Sequence, residues 1–211
     1  MENQLSVSKT ARYFTHGDPQ TAKHLLYVLH GYGQLAFYFL KKFELLAEND
    51  FYIVAPEGMH RFYLTGTGGR VGASWMTREA RETDITDNLH YLDELHTAIT
   101  REYAFESVQL LGFSQGGATA ARWKHKGEVA FDRFVLWASV FPEDVPLDTT
   151  NPHFGTSENH FVLGDEDPYY TPENQAAILD FYEKAGFKNH LYKGKHAVEP
   201  ELVSLLFNQS E

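Results

Sequence analysis

Gly112-Phe113-Ser114-Gln115-Gly116 is the stretch that decides the fold. It follows a short apolar run, Val108-Gln109-Leu110-Leu111, and opens a segment rich in small residues, Gly117, Ala118, Ala120 and Ala121. With a strand in front and a helix behind, G-x-S-x-G holds a serine on a sharp turn with its Oγ exposed at the end of a sheet. Side chains two places before and two places after the serine would collide in that turn, and glycine at both relieves the collision. The helix that starts at Gln115 points its amides toward a developing oxyanion. The pentapeptide alone also occurs in ordinary loops. Its strand-turn-helix setting makes Ser114 the expected nucleophile.

The alternation continues on both sides of this turn. Apolar runs lie at Leu25–Leu29, Phe51–Ala55, Phe134–Ala138 and Phe161–Leu163, with a weaker one at His190–Tyr192. Short apolar runs without polar alternation suit strands buried on both faces. Between them Ile85, Leu89, Leu92, Ile99 and Tyr103 fall at helical spacing, so 84–102 reads as an amphipathic helix. Asp84 and Asp87 sit in its first turn, where carboxylates favour the positive helix end. Thr171, Pro172 and Gly186 supply N-cap, N1 and C′ residues for another helix. Further helices are expected over 36–48, 115–126 and 198–208. The order predicts an α/β domain spanning 1–211, with a mostly parallel sheet and helices on both faces. Leu5 to Thr15 could add an antiparallel edge strand. Two stretches, 56–82 and 139–159, are rich in glycine or proline and show no clear period. Both follow strands, where open α/β sheets build their ligand sites, so both read as cleft walls. No insertion is long enough for a large lid.

Composition removes several functions. The chain has 211 residues, with 18 Lys and Arg against 29 Asp and Glu, a net charge of −11. Such a chain repels phosphate backbones and anionic lipid at long range, so nucleic acid is not an expected partner. No cysteine is present, which excludes disulfides, thiolate catalysis and cysteine-based metal sites. No run approaches the ~20 apolar residues of a spanning helix. Met1 to Thr10 is polar and carries no apolar leader core, so a cytoplasmic location is expected.

A serine hydroxyl needs a base, and eleven histidines compete for the role. His196 stands after the weak strand and Gly194 and before the last helix, where the order serine, acid, histidine places the base. His190 lies in the strand, while His153 and His160 precede the acid loop. His30 more naturally supports its own loop. Gly164-Asp165-Glu166-Asp167-Pro168 follows the preceding strand and supplies the acid. Asp167 sits further round the turn and can reach back over the strand ends. Asp165 is its rival, and Glu143 or Asp144 a more distant one. His30-Gly31-Tyr32-Gly33 follows the first long strand and allows a backbone amide, that of Tyr32, to meet a substrate carbonyl. The amide of Gln115 would be the second donor.

These pieces together resemble the phospholipase/carboxylesterase family of α/β-hydrolases, which includes the acyl-protein thioesterases. The resemblance runs from about residue 22 to 208 and rests on His30–Gly33, Ala73-Ser74-Trp75, Gly112–Gly117, Ala138–Pro142, Gly164–Asp167 and Gly194–His196. It implies the α/β-hydrolase fold, an acid third after Gly164, which favours Asp167, and an oxyanion donor just after His30-Gly31, which favours Tyr32. The chain departs from the pattern at Gln34, Leu163, Pro172 and Met76-Thr77. Those departures bear on the substrate.

The expected activity is that of a serine carboxylesterase acting on short- to medium-chain acyl esters, or thioesters, through an acyl-enzyme. A peptidase or amidase with the same triad, or a non-catalytic ligand-binding relative, are the alternatives. Trp75, Phe141 and Tyr169 are expected to contact substrate. The chemistry needs no metal and no cofactor. A small-molecule ester is the expected partner, and homodimerisation stays open.

Overall fold

The computed structural model describes residues 1, 3–147, 155 and 157–208. Nine strands are present among them: β1 (Tyr13–His16), β2 (His24–Leu29), β3 (Phe51–Pro56), β4 (His60–Thr65), β5 (Gly68–Ser74), β6 (Ser107–Phe113), β7 (Arg133–Trp137), β8 (Glu158–Gly164) and β9 (Lys188–Tyr192). The helices are α1 (Ala36–Leu40), α2 (Glu44–Ala47), α3 (Arg81–Thr100), α4 (Gln115–Lys126), α5 (Pro172–Lys184) and α6 (Pro200–Asn208). Seven strands form one sheet in the order β1-β3-β2-β6-β7-β8-β9. Every pair in it is parallel except β1 with β3.

The register sets the faces. Tyr27 on β2 lies beside Leu110 on β6, so the two side chains share a face. On that face the Tyr27 ring meets Trp123 of α4 edge-on at 5.0 Å, and its hydroxyl lies 3.1 Å from His96 Nδ1 of α3. Phe113 stands three residues beyond Leu110 and points the other way, where it stacks on Phe39 of α1 at 6.0 Å. Helices therefore cover both faces. The strands β2, β3, β6, β7 and β8 are almost wholly buried, which is why each carries a short apolar run. Register also aligns the strand ends: Leu29 with Gly112, Phe113 with Trp137, Gly164 with Tyr192. The loops that follow β2, β6, β8 and β9 thus meet along one edge.

Three expectations need correction. The helix expected over 36–48 is broken into α1, a 3-10 turn at Lys41–Phe43, and α2. Ala36, Phe39, Leu40, Phe43 and Leu46 are all buried, so the segment packs on the core on both sides of the tightened turn. The stretch 56–82 is not irregular throughout, because β4 and β5 form an antiparallel hairpin. Its strands are mostly exposed, so neither a buried run nor an alternation marks them. The edge strand expected within Leu5–Thr15 is only its far end, β1. In the stretch 139–159, Pro152 and His153 lie outside the described residues.

Candidate active site

The elbow follows from sterics. Ser114 sits at φ +53°, ψ −121°, a left-handed conformation that non-glycine residues adopt at a cost of about 1–3 kcal/mol. Its N–H donates to Trp137 O at 2.9 Å, which pins the turn to β7. A Cβ on Gly112 would stand 2.5 Å from Gly117 Cα, 2.6 Å from Gly116 O and 2.7 Å from Ala120 Cβ. One on Gly116 would strike the carbonyl oxygens of Leu29 and His30. Both glycines are demanded by close approach of backbone.

The structure brings Ser114, His196 and Asp167 together from three loops. His196 Nδ1 lies 2.7 Å from Asp167 Oδ2, and His196 Nε2 lies 3.0 Å from Ser114 Oγ. An ionised carboxylate only accepts, so Nδ1–H donates to it and Nε2 is left to accept the serine proton. The Asp167 side chain is fully buried and that of His196 is 19% exposed. Tyr169 N–H donates to Asp167 Oδ1 at 3.0 Å, so both carboxylate oxygens are engaged. The imidazole is flanked by Phe113 at 4.8 Å and by Tyr169, edge-on, at 4.6 Å. Asp165 is placed elsewhere: its Oδ1 accepts from Gly194 N–H at 3.0 Å. Asp144 binds Arg122 and Arg81.

The loop 30–34 is held on all sides. Gly31 N–H donates to Gln34 Oε1 at 2.8 Å, and Gly33 N–H to Ala73 O at 2.8 Å, so the amides flanking Tyr32 are both engaged. His30 is buried. It accepts from Gly58 N–H at Nε2, 3.0 Å, and so donates from Nδ1 to Gly31 O, 2.8 Å. Burial pushes its pKa down, which keeps it neutral in this role. Gln115 is the first residue of α4, and its N–H is an orphan donor of that helix.

A cleft of ≈320 Å³ opens beside Ser114 and His196, walled by Ala118, Ala138, Val140, Tyr169 and Tyr170. Tyr169 lines this cleft. Trp75 and Phe141 do not. Trp75 is fully buried, lies 5.1 Å from the His30 ring and donates Nε1–H to His30 O at 2.8 Å. It supports the first loop from below. Phe141 is packed in the core. The sequence reading also missed the side chain of Gln115. Its Oε1 accepts from Trp75 N–H at 3.1 Å and from Ser74 Oγ at 3.2 Å, and its Nε2 donates to Met76 O at 2.8 Å. A long amide directly after the serine of the G-x-S-x-G turn was the available signal. Among the described residues, no group of three or more His, Asp or Glu side chains is placed to hold a metal ion, and no helix is long and apolar enough to cross a membrane.

A mostly parallel sheet with helices on both faces and a strained serine between strand and helix define an α/β-hydrolase, and no large lid is present among the described residues. The chain belongs to the serine hydrolase (FSH1) family, whose model matches residues 20–202. Solved structures agree at the level of fold. Esterase PE8 is similar at 17% identity and a TM-score of 0.67, over 96% of this chain and 99% of that one. The Bacillus cereus carboxylesterase is similar at 18% and 0.66, over 93% and 91%. The Zea mays acyl-protein thioesterase 2 is similar at 18% and 0.65, over 93% and 96%. These bear out the α/β-hydrolase fold that the resemblance implied. No curated protein matches the chain. The chain is a serine hydrolase.

Proposed function

We propose that this serine hydrolase is a carboxylesterase that cleaves short- to medium-chain acyl esters through an acyl-enzyme on Ser114. One observation carries the reading: the hydrogen-bonded chain from Asp167 through His196 to Ser114 opens into a small cleft with largely apolar walls. Ser114 Oγ attacks the ester carbonyl carbon while His196 Nε2 takes its proton. The carbonyl oxygen becomes an oxyanion facing the amides of Tyr32 and Gln115. When the intermediate collapses, the C–O bond to the alcohol breaks and His196 returns the proton to the departing oxygen. Water then repeats the cycle, His196 taking its proton and returning it to Ser114, and the carboxylic acid leaves. Asp167 holds the imidazole and stabilises its positive form. Tyr169, beside His196 and on the cleft wall, contacts the bound ester. The size of the cleft supports a short acyl chain.

Turnover of a p-nitrophenyl acyl ester series tests this. Wild type is expected to hydrolyse the short members best, and Ser114→Ala to lose on the order of 10³–10⁶ in rate. Equal rates in the two proteins, or a preference for long-chain emulsified lipid, would refute the assignment.

A further inference from the structure

We propose that a second cleft, reached over Tyr32, takes an uncharged polyhydroxylated alcohol, so that the substrate is the ester of a polyol. This rests on the esterase reading and names the substrate class of the same site. The cleft measures ≈410 Å³ and lies between β4 and the N-terminus of α3, with Tyr32 on its rim and Ser74 in its lining. Ser74 Oγ lies 3.2 Å from Oε1 of Gln115, which lines the cleft beside His196, so the two clefts meet at the elbow. An ester carbonyl carries two diverging arms. With the acyl arm in the cleft beside His196, the alcohol arm has this space.

The lining differs from that of the first cleft. His60 Nε2 lies 3.1 Å from Asp84 Oδ1, and both side chains line the cavity with Glu79 and Arg61. The Arg61 guanidinium is held by the buried Glu57 at 3.2 Å. Arg61 is thus partly neutralised, and with Asp84 and Glu79 in the same lining the cleft is acidic, which disfavours a phosphate or carboxylate. Tyr32, 60% exposed, lies over Phe62 at 5.1 Å and gives an aromatic surface. Hydroxyl groups donate to carboxylates and accept from imidazole and guanidinium, while the C–H side of a polyol covers a ring. A plain alkyl alcohol makes none of these hydrogen bonds, and sites built to bind hydroxyls discriminate against analogues that lack them.

The polyol could be glycerol or a sugar, and two substrates separate these. The kcat/KM for glyceryl monobutyrate and for glucose monobutyrate would be compared with that for ethyl butyrate. The better polyol ester is expected to exceed ethyl butyrate by at least about 10-fold. That ratio is expected to fall toward one in Asp84→Ala and in His60→Phe. A wild-type ratio near one, or a ratio that survives in both variants, overturns the proposal. If no ester is turned over, the esterase reading fails by itself, and the cleft is judged by binding. Ser114→Ala titrated with glyceryl monobutyrate should then shift the His60 ring signals in NMR spectra, and Ser114→Ala/Asp84→Ala should not. No shift at His60 in the single variant overturns the proposal.

Discussion

Asp167 meets His196 at 2.7 Å, while Asp165, two residues earlier on the same turn, accepts from the Gly194 amide. The two carboxylates therefore do different work. Asp167→Asn should lower kcat on p-nitrophenyl butyrate by ~10⁴, because an amide there favours the wrong imidazole tautomer. Asp165→Asn keeps an oxygen for Gly194 and should cost less than about 10-fold. Steady-state kinetics of both variants decides this, and comparable losses would contradict the division of roles.

Gln115 joins the elbow to the 74–76 segment with three hydrogen bonds. Gln115→Ala should loosen the turn that aims its amide and lower kcat by about 10- to 100-fold, within the range seen for disturbed oxyanion donors. KM should change far less. Gln115→Glu keeps the acceptor for Trp75 N–H but loses the donor to Met76 O, and it adds charge near the oxyanion, so it should be worse than alanine. A Gln115→Glu variant as active as wild type would rule out this positioning.

Lys124 is fully buried on α4, donates to Ser157 Oγ and lies 5.6 Å from the Phe134 ring centre. Burial pushes its pKa down to about 8 from 10.5, with Asp132 pulling it up. The folded value is below the unfolded one, so between these values the unfolded chain binds the extra proton. Stability then rises with pH from about 8 to 10, and the cost of the buried charge is full below 8. That cost is at most about 3 kcal/mol. Lys124→Met should raise Tm at pH 7 by several degrees, and the gain should shrink at pH 9.5. Thermal denaturation at the two values measures it, and a constant difference would contradict it.

Asp144 fastens the segment after β7, which carries Val140 of the cleft wall, to α3 and α4. Its Oδ1 lies 2.7 Å from both Arg122 Nη2 and Arg81 Nη2, and Arg122 is 4% exposed. Hydrogen bonding from Arg122, then Arg81, holds the Asp144 carboxyl well below the usual carboxylate range. A depressed carboxyl contributes stability that is full above the unfolded value, near 4, and is lost only as pH falls through the folded one. Breaking a buried pair costs ~3–5 kcal/mol, and partial solvation of Asp144 and Arg81 brings this nearer ~2. Asp144→Asn should therefore lower Tm by about 4–8 °C at pH 7. The deficit should persist at pH 5. Calorimetry showing no deficit at either pH would remove the clamp.

The central sheet was legible because strands buried on both faces must be apolar throughout, as Leu25–Leu29 and Phe134–Trp137 are. Serine 114 was legible for a different reason: Gly112 and Gly116 have no room for a Cβ, so the turn leaves its mark on residue type. The hairpin of β4 and β5 escaped notice because it is mostly exposed and paired only with itself, which asks little of its side chains. Trp75 and Phe141 were misplaced because an aromatic residue after a strand reads alike whether it faces a cleft or the core.

What the sequence determined by itself is what local pattern imposes: the strand-turn-helix at Ser114 and the alternation of buried strands with helices, from which a mostly parallel sheet follows. Only the tertiary structure decided that Asp167 rather than Asp165 reaches His196. It alone turned Trp75 beneath His30 and opened a polar cleft between His60 and Asp84. Those outcomes depend on the register of β8 with β9 and on how a self-paired hairpin packs beside α3. Distances of 3 Å between residues tens of positions apart are set by packing, and no local pattern encodes them.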